Sequence, residues 1–323
     1  MKTCGMVVMA GLAAALSGCS GSDGSTGGNP ATGNDAGAVA GQFTKLASYD
    51  WKIDPGVEAY YCGFKTLTDD LYISDFRPIM PVGTHHVVVG YQDPGPPDGY
   101  VSSVDSPGTN GSAACTGVTF GDIFEFAATV GTQEFKMPEG VAEKIPAGKQ
   151  LVFGLHVINT GTAPLSGTSG VEVVSPDASK VQNEAEVVAV TTFSLSVPPG
   201  KSTTNVTCTA TGDTNLFAVS PHMHLTGTHM KSTAGPPPGT ASTLFDVDYH
   251  FTDQEIKLLD PPLAMKQGDQ IHGACDFENP SADTLTGGES TTKNEMCITF
   301  AYRYPALTPT GPTTGPPRGY CVN

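Results

Sequence analysis

Short stretches in which apolar and polar residues alternate run through most of the chain, and no long stretch has the 3.6-residue period of an amphipathic helix. Strand-like alternation occurs at residues 57–64 and 70–76, and again at 243–251 and 294–304. Turn-forming Gly and Pro, 39 and 26 of the 323 residues, are spread between these stretches. The pattern predicts an all-β protein with many short strands and few helices.

A Pro-Pro-Gly sequence at residues 198–200 lies near the middle of the globular part of the chain. Two successive prolines do not fit inside a central strand, because proline has no N–H to donate to the ladder. A chain of 323 residues is long enough for two domains of ordinary size. We therefore predict an N-terminal domain at residues 43–198 and a C-terminal domain at residues 199–323.

The N-terminal segment is typical of an export signal followed by a tether. Lys2 precedes an apolar run that is too short to span a bilayer as a stable helix. Residues 16–19, Leu-Ser-Gly-Cys, resemble the bacterial lipoprotein signal, which implies removal of residues 1–18 and a lipid on Cys19; an ordinary secretory signal is the alternative. Residues 19–42 have the composition of a flexible spacer. We expect an exported lipoprotein, periplasmic or at the outer membrane or cell surface, held to the membrane only by its lipid.

Cysteine content and charge narrow the class of protein further. Export places the mature chain in an oxidising compartment, where cysteines form disulfides. The cysteines of the globular part are too widely spaced for a zinc ribbon or a CxxC redox centre, and many pairings are possible. A net charge of −16 argues against nucleic acid or anionic membrane surfaces as partners. The cysteines expected to form disulfides are Cys62, Cys115, Cys208, Cys275, Cys297 and Cys321.

Two pairs of histidines are candidate metal ligands. His222 and His224 are two residues apart, so on a strand their imidazoles lie on one face and can form half of a transition-metal site. His85 and His86 are adjacent and would face opposite sides of a regular strand. Both can bind one ion only if the strand begins or bulges there, which Gly83 permits. On a regular strand only one of them can bind.

His156 and Met296 are the remaining candidates. His156 lies in an apolar run at residues 150–159, where a lone histidine is commonly a packed core residue. Met296 precedes Cys297 in a predicted strand, where a core methionine is the ordinary interpretation. Imidazole binds copper in both oxidation states and a thioether favours Cu(I), whereas zinc prefers His, Cys and carboxylate. These residue types fit copper better than zinc. The other histidines, expected to be structural, are His229, His250 and His272.

The order of these motifs resembles the copper type II, ascorbate-dependent monooxygenases, the family of peptidylglycine α-hydroxylating monooxygenase and dopamine β-monooxygenase. The resemblance covers residues 43–323. It implies two jelly-roll-like antiparallel β-sandwich domains packed side by side, with an intervening cleft and one copper ion in each domain. The implied ligands are His85, His86 and His156 for an electron-transfer copper, and His222, His224 and Met296 for an oxygen-binding copper.

The resemblance also implies how the cysteines pair and where this chain departs from its relatives. Peptide-amidating members use an Arg, an Asn and a Tyr to hold the substrate carboxylate, at positions occupied here by Ser220, Ile298 and Phe300. The resemblance therefore does not extend to a peptidylglycine substrate, and a more apolar pocket is expected. The sequence around His156 also differs from the family pattern. The implied disulfides are Cys62–Cys115, Cys208–Cys321 and Cys275–Cys297.

We therefore expect a monomeric, copper-dependent monooxygenase that hydroxylates a C–H bond of an organic substrate with O2. An external reductant, for which ascorbate is one candidate, would supply the electrons, and His222, His224 and Met296 would be the catalytic ligands. One alternative is a lipid-anchored copper-binding protein without turnover. Others are a His-rich zinc hydrolase, although no Glu or Asp stands beside His222 or His224 in the sequence, and a β-sandwich without metal.

Overall fold

The computed structural model describes residues 41–103, 123–129, 131–132, 134–237, 241–288, 293–307 and 319–322. Over these residues the chain has twenty-three strands and one 3-10 turn at Ala178–Lys180, which confirms the predicted all-β fold. In the same part of the chain no helix has the length and apolar character needed to cross a membrane. The predicted signal, the lipid site at Cys19 and nearly all of the tether lie outside the described residues.

Eleven strands come from the first half of the chain and twelve from the second. Those of the first half are β1 Thr44–Ile53, β2 Glu58–Thr66, β3 Leu71–Ile73, β4 Asp75–Ile79, β5 Thr84–Gln92, β6 Gly99–Ser103, β7 Ile123–Thr129, β8 Phe135–Lys136, β9 Val141–Ile145, β10 Gln150–Ile158 and β11 Leu165–Val174. Those of the second half are β12 Asn183–Thr191, β13 Ser196–Val197, β14 Gly200–Thr209, β15 Thr214–Met223, β16 Gly227–Gly235, β17 Ser242–Asp248, β18 Lys257–Met265, β19 Gln270–Asn279, β20 Leu285–Gly287, β21 Asn294–Glu295, β22 Cys297–Tyr304 and β23 Tyr320–Val322.

Two sheets of the first half share one apolar core. One sheet has the strand order β1-β11-β4-β8 and the other the order β6-β2-β10-β5-β7. Side chains from both sheets meet in this core, where the rings of Phe76 from β4 and Phe126 from β7 stack with centroids 4.5 Å apart. Packing of two antiparallel sheets over a common core is the sandwich arrangement. It places β5 and β10, which carry three of the candidate histidines, in the interior of one sheet.

The second half repeats this arrangement with a larger sheet. The larger sheet has seven strands, in the order β18-β15-β22-β12-β9-β3 with β23 also paired to β12, and its strands β9 and β3 come from the first half of the chain. The other sheet has four strands in the order β14-β19-β16-β17. The core contains Leu216 and Val219 from β15 together with Met230 from β16 and Phe277 from β19. Strands β15 and β22, which carry or flank the remaining candidate ligands, are paired neighbours. A small sheet of order β13-β20-β21 completes this half.

Strand β12 connects the two halves through its hydrogen bonds. It pairs with β22 on one side, and its first residues pair in parallel with β9. Apolar contacts follow the same route, since the ring of Phe135 in β8 lies 6.1 Å from that of Phe217 and 4.8 Å from that of Tyr302. The domain boundary predicted between residues 198 and 199 falls after β12, between β13 and β14, and stays a prediction.

Two of the three implied disulfides are formed between described residues. The bridge at Cys297 joins β22 to β19, so it connects the two larger sheets of the second half beside Met296. Cys62 is also disulfide-bonded, but its implied partner Cys115 lies outside the described residues, so that pairing stays a prediction. The two confirmed pairs are Cys208–Cys321 and Cys275–Cys297.

Two strands differ from the expectations of the sequence pattern. Residues 93–111 are rich in Pro, Gly, Asp and Ser, a composition that predicts a surface loop, but residues 99–103 form β6, which pairs with β2 at the edge of its sheet. No strand is predicted around Pro261 and Pro262, yet both lie in β18. This strand is also at a sheet edge, and its pairing with β15 is interrupted near the prolines. Edge strands tolerate proline because the missing N–H is not needed on the outer side.

Two carboxyl groups are buried together near the contact between the halves. Glu125 of β7 and Glu143 of β9 are 4% and 0% exposed. Both carboxyl oxygens of Glu143 lack a hydrogen-bond partner among the described residues, so ionisation of this buried group is strongly disfavoured. Loss of hydration raises the pKa of Glu125 to about 8, and the negative charge of Glu186 raises it further. Loss of hydration also holds the pKa of Glu143 well above its ordinary value, and the negative charge of Glu125 acts in the same direction. The folded protein therefore retains protons that the unfolded chain releases.

We expect the stability of the protein to fall as the pH rises from about 5 to about 9, because over this range the unfolded chain releases carboxyl protons that the folded protein retains. Glu143→Gln, which has no acidic proton to lose, should raise the free energy of unfolding at pH about 9 by about 1–3 kcal/mol relative to wild type. Urea unfolding at both pH values measures this difference. Glu139→Gln, at an exposed position, is the control. The same pH dependence in Glu143→Gln and wild type would contradict the expectation.

Candidate metal centre

His85, His86 and His156, here called the first trio, lie on the neighbouring strands β5 and β10. In the pairing of these strands, His86 is opposite His156 and Thr84 is opposite Val157, so His85 is an extra residue in β5. A β-bulge of this kind redirects consecutive side chains. It meets the condition that the sequence sets for both adjacent histidines to face one ion.

Gly83 fixes the backbone immediately before the bulge. Its φ of +100° lies in the left-handed region, and a Cβ there would come within 2.7 Å of the Trp51 ring. Trp51 Nε1 donates a hydrogen bond of 2.7 Å to Ser169 Oγ, which is 2.6 Å from Thr84 Oγ1. The start of β5 is therefore held by a buried network, and only glycine fits where the chain approaches Trp51.

The imidazole nitrogens of the first trio converge. Nδ1 of His85 and Nδ1 of His86 are 3.0 Å apart. One ligand atom from each of the three histidines lies within 4.8 Å of the other two. The ring of His156 has its centroid 4.9 Å from the ring of each neighbour. The structure thus brings together three residues that are up to seventy-one positions apart in the sequence.

Glu58 of β2 sets the orientation of His156. Glu58 Oε1 is 2.7 Å from His156 Nε2 and accepts a hydrogen bond of 3.0 Å from the Tyr60 hydroxyl, while the Tyr60 ring stacks on the imidazole at 4.2 Å. The hydrogen bond to His156 lowers the pKa of Glu58, so the carboxylate is ionised and Nε2 carries the proton. His156 Nδ1 then has a free lone pair, and among the described residues this buried atom has no hydrogen-bond partner. An orphan nitrogen beside two further imidazoles fits a metal ion.

His222, His224 and Met296, here called the second trio, lie where β15 and β22 meet their connecting loops. The imidazole centroids of His222 and His224 are 5.5 Å apart, and Met223 between them is fully buried in the core. The alternation expected of a strand is therefore present. His222 lies opposite Ile298 in the pairing of β15 with β22.

Glu295 draws Met296 to His224. This carboxylate is fully buried, and its Oε2 accepts hydrogen bonds from the backbone N–H of His224 at 2.9 Å and of Met296 at 3.1 Å. Its Oε1 accepts two more from the N–H and hydroxyl of Thr226, at 2.7 and 2.8 Å. A buried carboxylate is stable when its oxygens are saturated in this way. The sequence gives no hint of this carboxylate because it is about seventy residues from His224.

The side chain of Met296 lies on the same face of the sheet as the two imidazoles of the second trio. It is buried with Ile298 and Ala189. Ile298 is directly opposite His222, and opposite residues of antiparallel strands share a face. The structure therefore places Met296 beside Ile298, on the face of the β15–β22 pair that carries His222.

Both imidazoles of the second trio are held through Nδ1. His222 Nδ1 is 2.7 Å from Gln254 Oε1, and His224 Nδ1 is 3.0 Å from the carbonyl oxygen of Asn294. Gln254 Nε2 donates to the carbonyl of Phe251, which fixes the amide so that Oε1 faces His222. Oxygen acceptors require the proton on each Nδ1, so Nε2 is the free nitrogen of both rings. The second trio thus offers Nε2 atoms, whereas His156 of the first trio offers Nδ1.

Burial keeps the imidazoles of His85, His86, His222 and His224 neutral, which is the form that binds a metal. Loss of hydration, aided by the neighbouring histidines, lowers the pKa of His85 to about 4 and that of His86 well below its ordinary value. Loss of hydration likewise lowers the pKa of His222 to about 4 and lowers that of His224. Lone pairs are therefore available in both trios at neutral pH.

A single turn between β17 and β18 contacts both trios. The Tyr249 hydroxyl is hydrogen-bonded to the backbone N–H and C=O of Met223. The Phe251 ring stacks on His85 with centroids 4.8 Å apart and meets the ring of His224 at 6.4 Å in an edge contact. Sequence reasoning based on ligand types does not find these residues, because neither tyrosine nor phenylalanine is a candidate ligand.

The remaining histidines contact other groups. His229 Nε2 is 2.9 Å from a carboxylate oxygen of Asp246 on the protein surface. His272 Nδ1 is 3.0 Å from Thr207 Oγ1 on the neighbouring strand. His250 makes an isolated bridge within the turn that carries Phe251. These contacts agree with the structural roles expected of the three residues.

Residues 183–313 match the family described as copper type II ascorbate-dependent monooxygenase, C-terminal domain. DBH-like monooxygenase protein 2 of Mus musculus is 36% identical over 62 residues, which are 19% of this chain and 10% of that protein. DBH-like monooxygenase protein 2 of Homo sapiens is 24% identical over 197 residues, which are 55% of this chain and 39% of that protein. The chain thus spans at most 39% of the length of these curated relatives.

A similarity among solved structures is much weaker. The infectious bursal disease virus VP2 subviral particle aligns with 81% of this chain and 72% of its own, at a TM-score of 0.21 and 9% identity, which is too low to inform the fold.

The sequence matches confirm the resemblance that the motifs indicate. The chain is similar to the copper type II ascorbate-dependent monooxygenases, and residues 183–313 match the C-terminal domain of that family. The matched region contains the whole second trio.

We expect Glu58→Ala to weaken copper binding at the first trio by about 10- to 100-fold, because His156 loses the acceptor that fixes its tautomer. Glu58→Gln keeps an acceptor without the charge and should have a smaller effect. Competition with a Cu(I) chelator, in a His222→Ala background that isolates the first trio, measures the affinity. Glu172→Gln is a matched control, since Glu172 pairs with Arg77 at the surface of the same half. Unchanged affinity in Glu58→Ala would disprove this role.

Proposed function

We propose that the protein is a copper-dependent monooxygenase that hydroxylates a C–H bond of an organic substrate with O2 and an external reductant. The observation that carries the proposal is the presence of two unlike ligand trios in one chain, one of three imidazoles and one of two imidazoles with a methionine. The family match over residues 183–313 supports the class of chemistry.

The donor sets of the two trios favour different tasks for copper. Three imidazoles accept copper in both oxidation states, which suits His85, His86 and His156 to electron transfer. The thioether of Met296 favours Cu(I), the oxidation state that reacts with O2. When bound, copper would supply one-electron redox chemistry at the first trio and oxygen activation at the second. The orphan Nδ1 of His156 and the neutral state of the other imidazoles support this assignment.

The residues around the trios would hold the ligands rather than react. Glu58 keeps the proton of His156 on Nε2, and Gln254 and the Asn294 carbonyl keep the protons of the second trio on Nδ1. Glu295 would fix the distance between His224 and Met296 through its two backbone hydrogen bonds. Loss of such a supporting contact commonly lowers metal affinity by about 10- to 100-fold.

The surroundings of the second trio favour a substrate whose reacting carbon is apolar. The Phe300 ring is 5.9 Å from the ring of His222, and Ile298 lies opposite His222. Ser220 is opposite Phe300 and is buried. These residues occupy the positions at which peptide-amidating relatives hold a carboxylate, and none carries a charge. We therefore propose a substrate other than a peptidylglycine.

A second candidate function is copper binding without turnover by a lipid-anchored protein. The uncharged residues at Ser220, Ile298 and Phe300 favour it, because they remove a known means of holding a substrate. In either case we propose an exported monomer tethered through Cys19. A zinc hydrolase is less well supported, because the two carboxylates beside the trios are already engaged: Glu58 with His156, and Glu295 with backbone N–H groups. Neither is free to act as the general base that such an enzyme needs.

Met296→Leu should abolish copper- and reductant-dependent O2 uptake, with a decrease of at least about 100-fold, because leucine conserves the volume but lacks the sulfur ligand. The wild-type protein should bind about two copper ions per chain in an anaerobic titration before O2 is admitted. Met265→Leu, at a buried position on β18 of the same half, is the matched control. Unimpaired O2 uptake in Met296→Leu would exclude the proposed oxygen site. Two bound copper ions with no O2 uptake in the wild type would favour the second candidate.

A further inference from the structure

The side chain of Phe251 contacts both trios. Its ring is nearly parallel to the imidazole of His85, with an interplanar angle of 24° and centroids 4.8 Å apart. The same ring meets the imidazole of His224 at 87° and 6.4 Å. One aromatic ring therefore packs on a ligand from each half of the chain.

The backbone of Phe251 is tied to the second trio as well. Its carbonyl accepts a hydrogen bond of 2.7 Å from Gln254 Nε2. Gln254 Oε1 accepts the proton of His222 Nδ1 over a further 2.7 Å. Any displacement of Phe251 therefore acts on His222 through the amide and on His224 through the ring.

Binding of an ion at the first trio must change His85. The Nδ1 atoms of His85 and His86 are 3.0 Å apart, a hydrogen bond that needs a proton on one of them. An ion held by both nitrogens takes up both lone pairs, so this contact is broken and the two rings have to adjust. The ring of Phe251 stacks directly on one of these two imidazoles.

We propose that Phe251 is a positioning residue that couples the two trios, so that copper at the first trio orders the turn holding the second and tightens copper binding there. The inference rests on the proposed function for the identity of the ion. Coupling carried by a packed ring between two sites is reciprocal, so copper at the second trio tightens binding at the first by the same factor.

Electrostatic repulsion between two bound cations acts in the opposite direction and does not depend on the ring. The quantity to measure is therefore the part of the coupling free energy that is lost when the Phe251 side chain is removed. A double-mutant cycle isolates this part, because the repulsion is common to both backgrounds.

The experiment measures the Cu(I) affinity of the second trio by chelator competition, with the first trio intact or disabled by His156→Ala. The ratio is the affinity with the first trio intact divided by the affinity with the first trio disabled. It is determined in the wild-type and Phe251→Ala backgrounds. We expect the ratio to be about five-fold higher in the wild-type background, a typical size for coupling between sites. Equal ratios in the two backgrounds overturn the proposal.

Further variants distinguish the effect of a stacked ring from the effect of side-chain volume at position 251. They also provide a substitute if one variant does not fold. Phe251→Tyr keeps the ring and should keep the wild-type ratio, whereas Phe251→Leu fills the space without a stacked ring and should lower it. Phe251→Leu also replaces Phe251→Ala if the alanine variant does not fold. Phe43→Ala, which removes a ring packed on Arg77 at 4.0 Å, is the control and should leave the ratio unchanged. A wild-type ratio in Phe251→Leu contradicts the role of stacking.

The outcomes distinguish the coupling from the proposed function. Copper at both trios with equal ratios overturns the coupling alone. Unequal ratios without O2 uptake uphold the coupling and overturn the monooxygenase. Failure of the wild-type protein to bind copper at the second trio overturns both.

Discussion

The hydrogen bond on the outer nitrogen of His156, His222 and His224 is the interaction on which both candidate sites depend. A buried neutral imidazole can carry its proton on either nitrogen, and only one choice leaves a lone pair facing an ion. Glu58, Gln254 and the Asn294 carbonyl each accept the outer proton and so determine that choice. Burial supplies the second requirement, because it disfavours the charged form that would repel a metal.

Strand pairing converts this local requirement into a site. The bulge at His85 aligns two consecutive side chains, and the pairing of β15 with β22 puts Ile298 and Met296 on the face that carries His222. The buried carboxylate of Glu295 then joins the loop after β15 to the residues before β22. Register, bulge and carboxylate together determine where the ligands lie.

The sequence predicts the ligand pairs because they depend on short-range rules. The pairing of His222 with His224 follows from the two-residue period of a strand, whereas adjacent histidines after Gly83 permit a bulge at His85 without requiring one. The supporting residues do not follow, because the contacts of Glu58 and Glu295 join strands far apart in the chain, and their partners are chosen by tertiary packing. Strand β18 is missed for a related reason, since its prolines are tolerated only at a sheet edge, a position the sequence does not specify.

The bridge between Cys275 and Cys297 lies within the core, with both cysteines at most 1% exposed. His85 of the first trio, by contrast, is only partly buried. A reductant in solution can therefore reach the imidazole of His85, while the two sulfur atoms of the bridge stay shielded from it in the core of the second half. The proposed function needs an external reductant, and this arrangement would let one act on the first trio without cleaving the covalent bridge beside Met296.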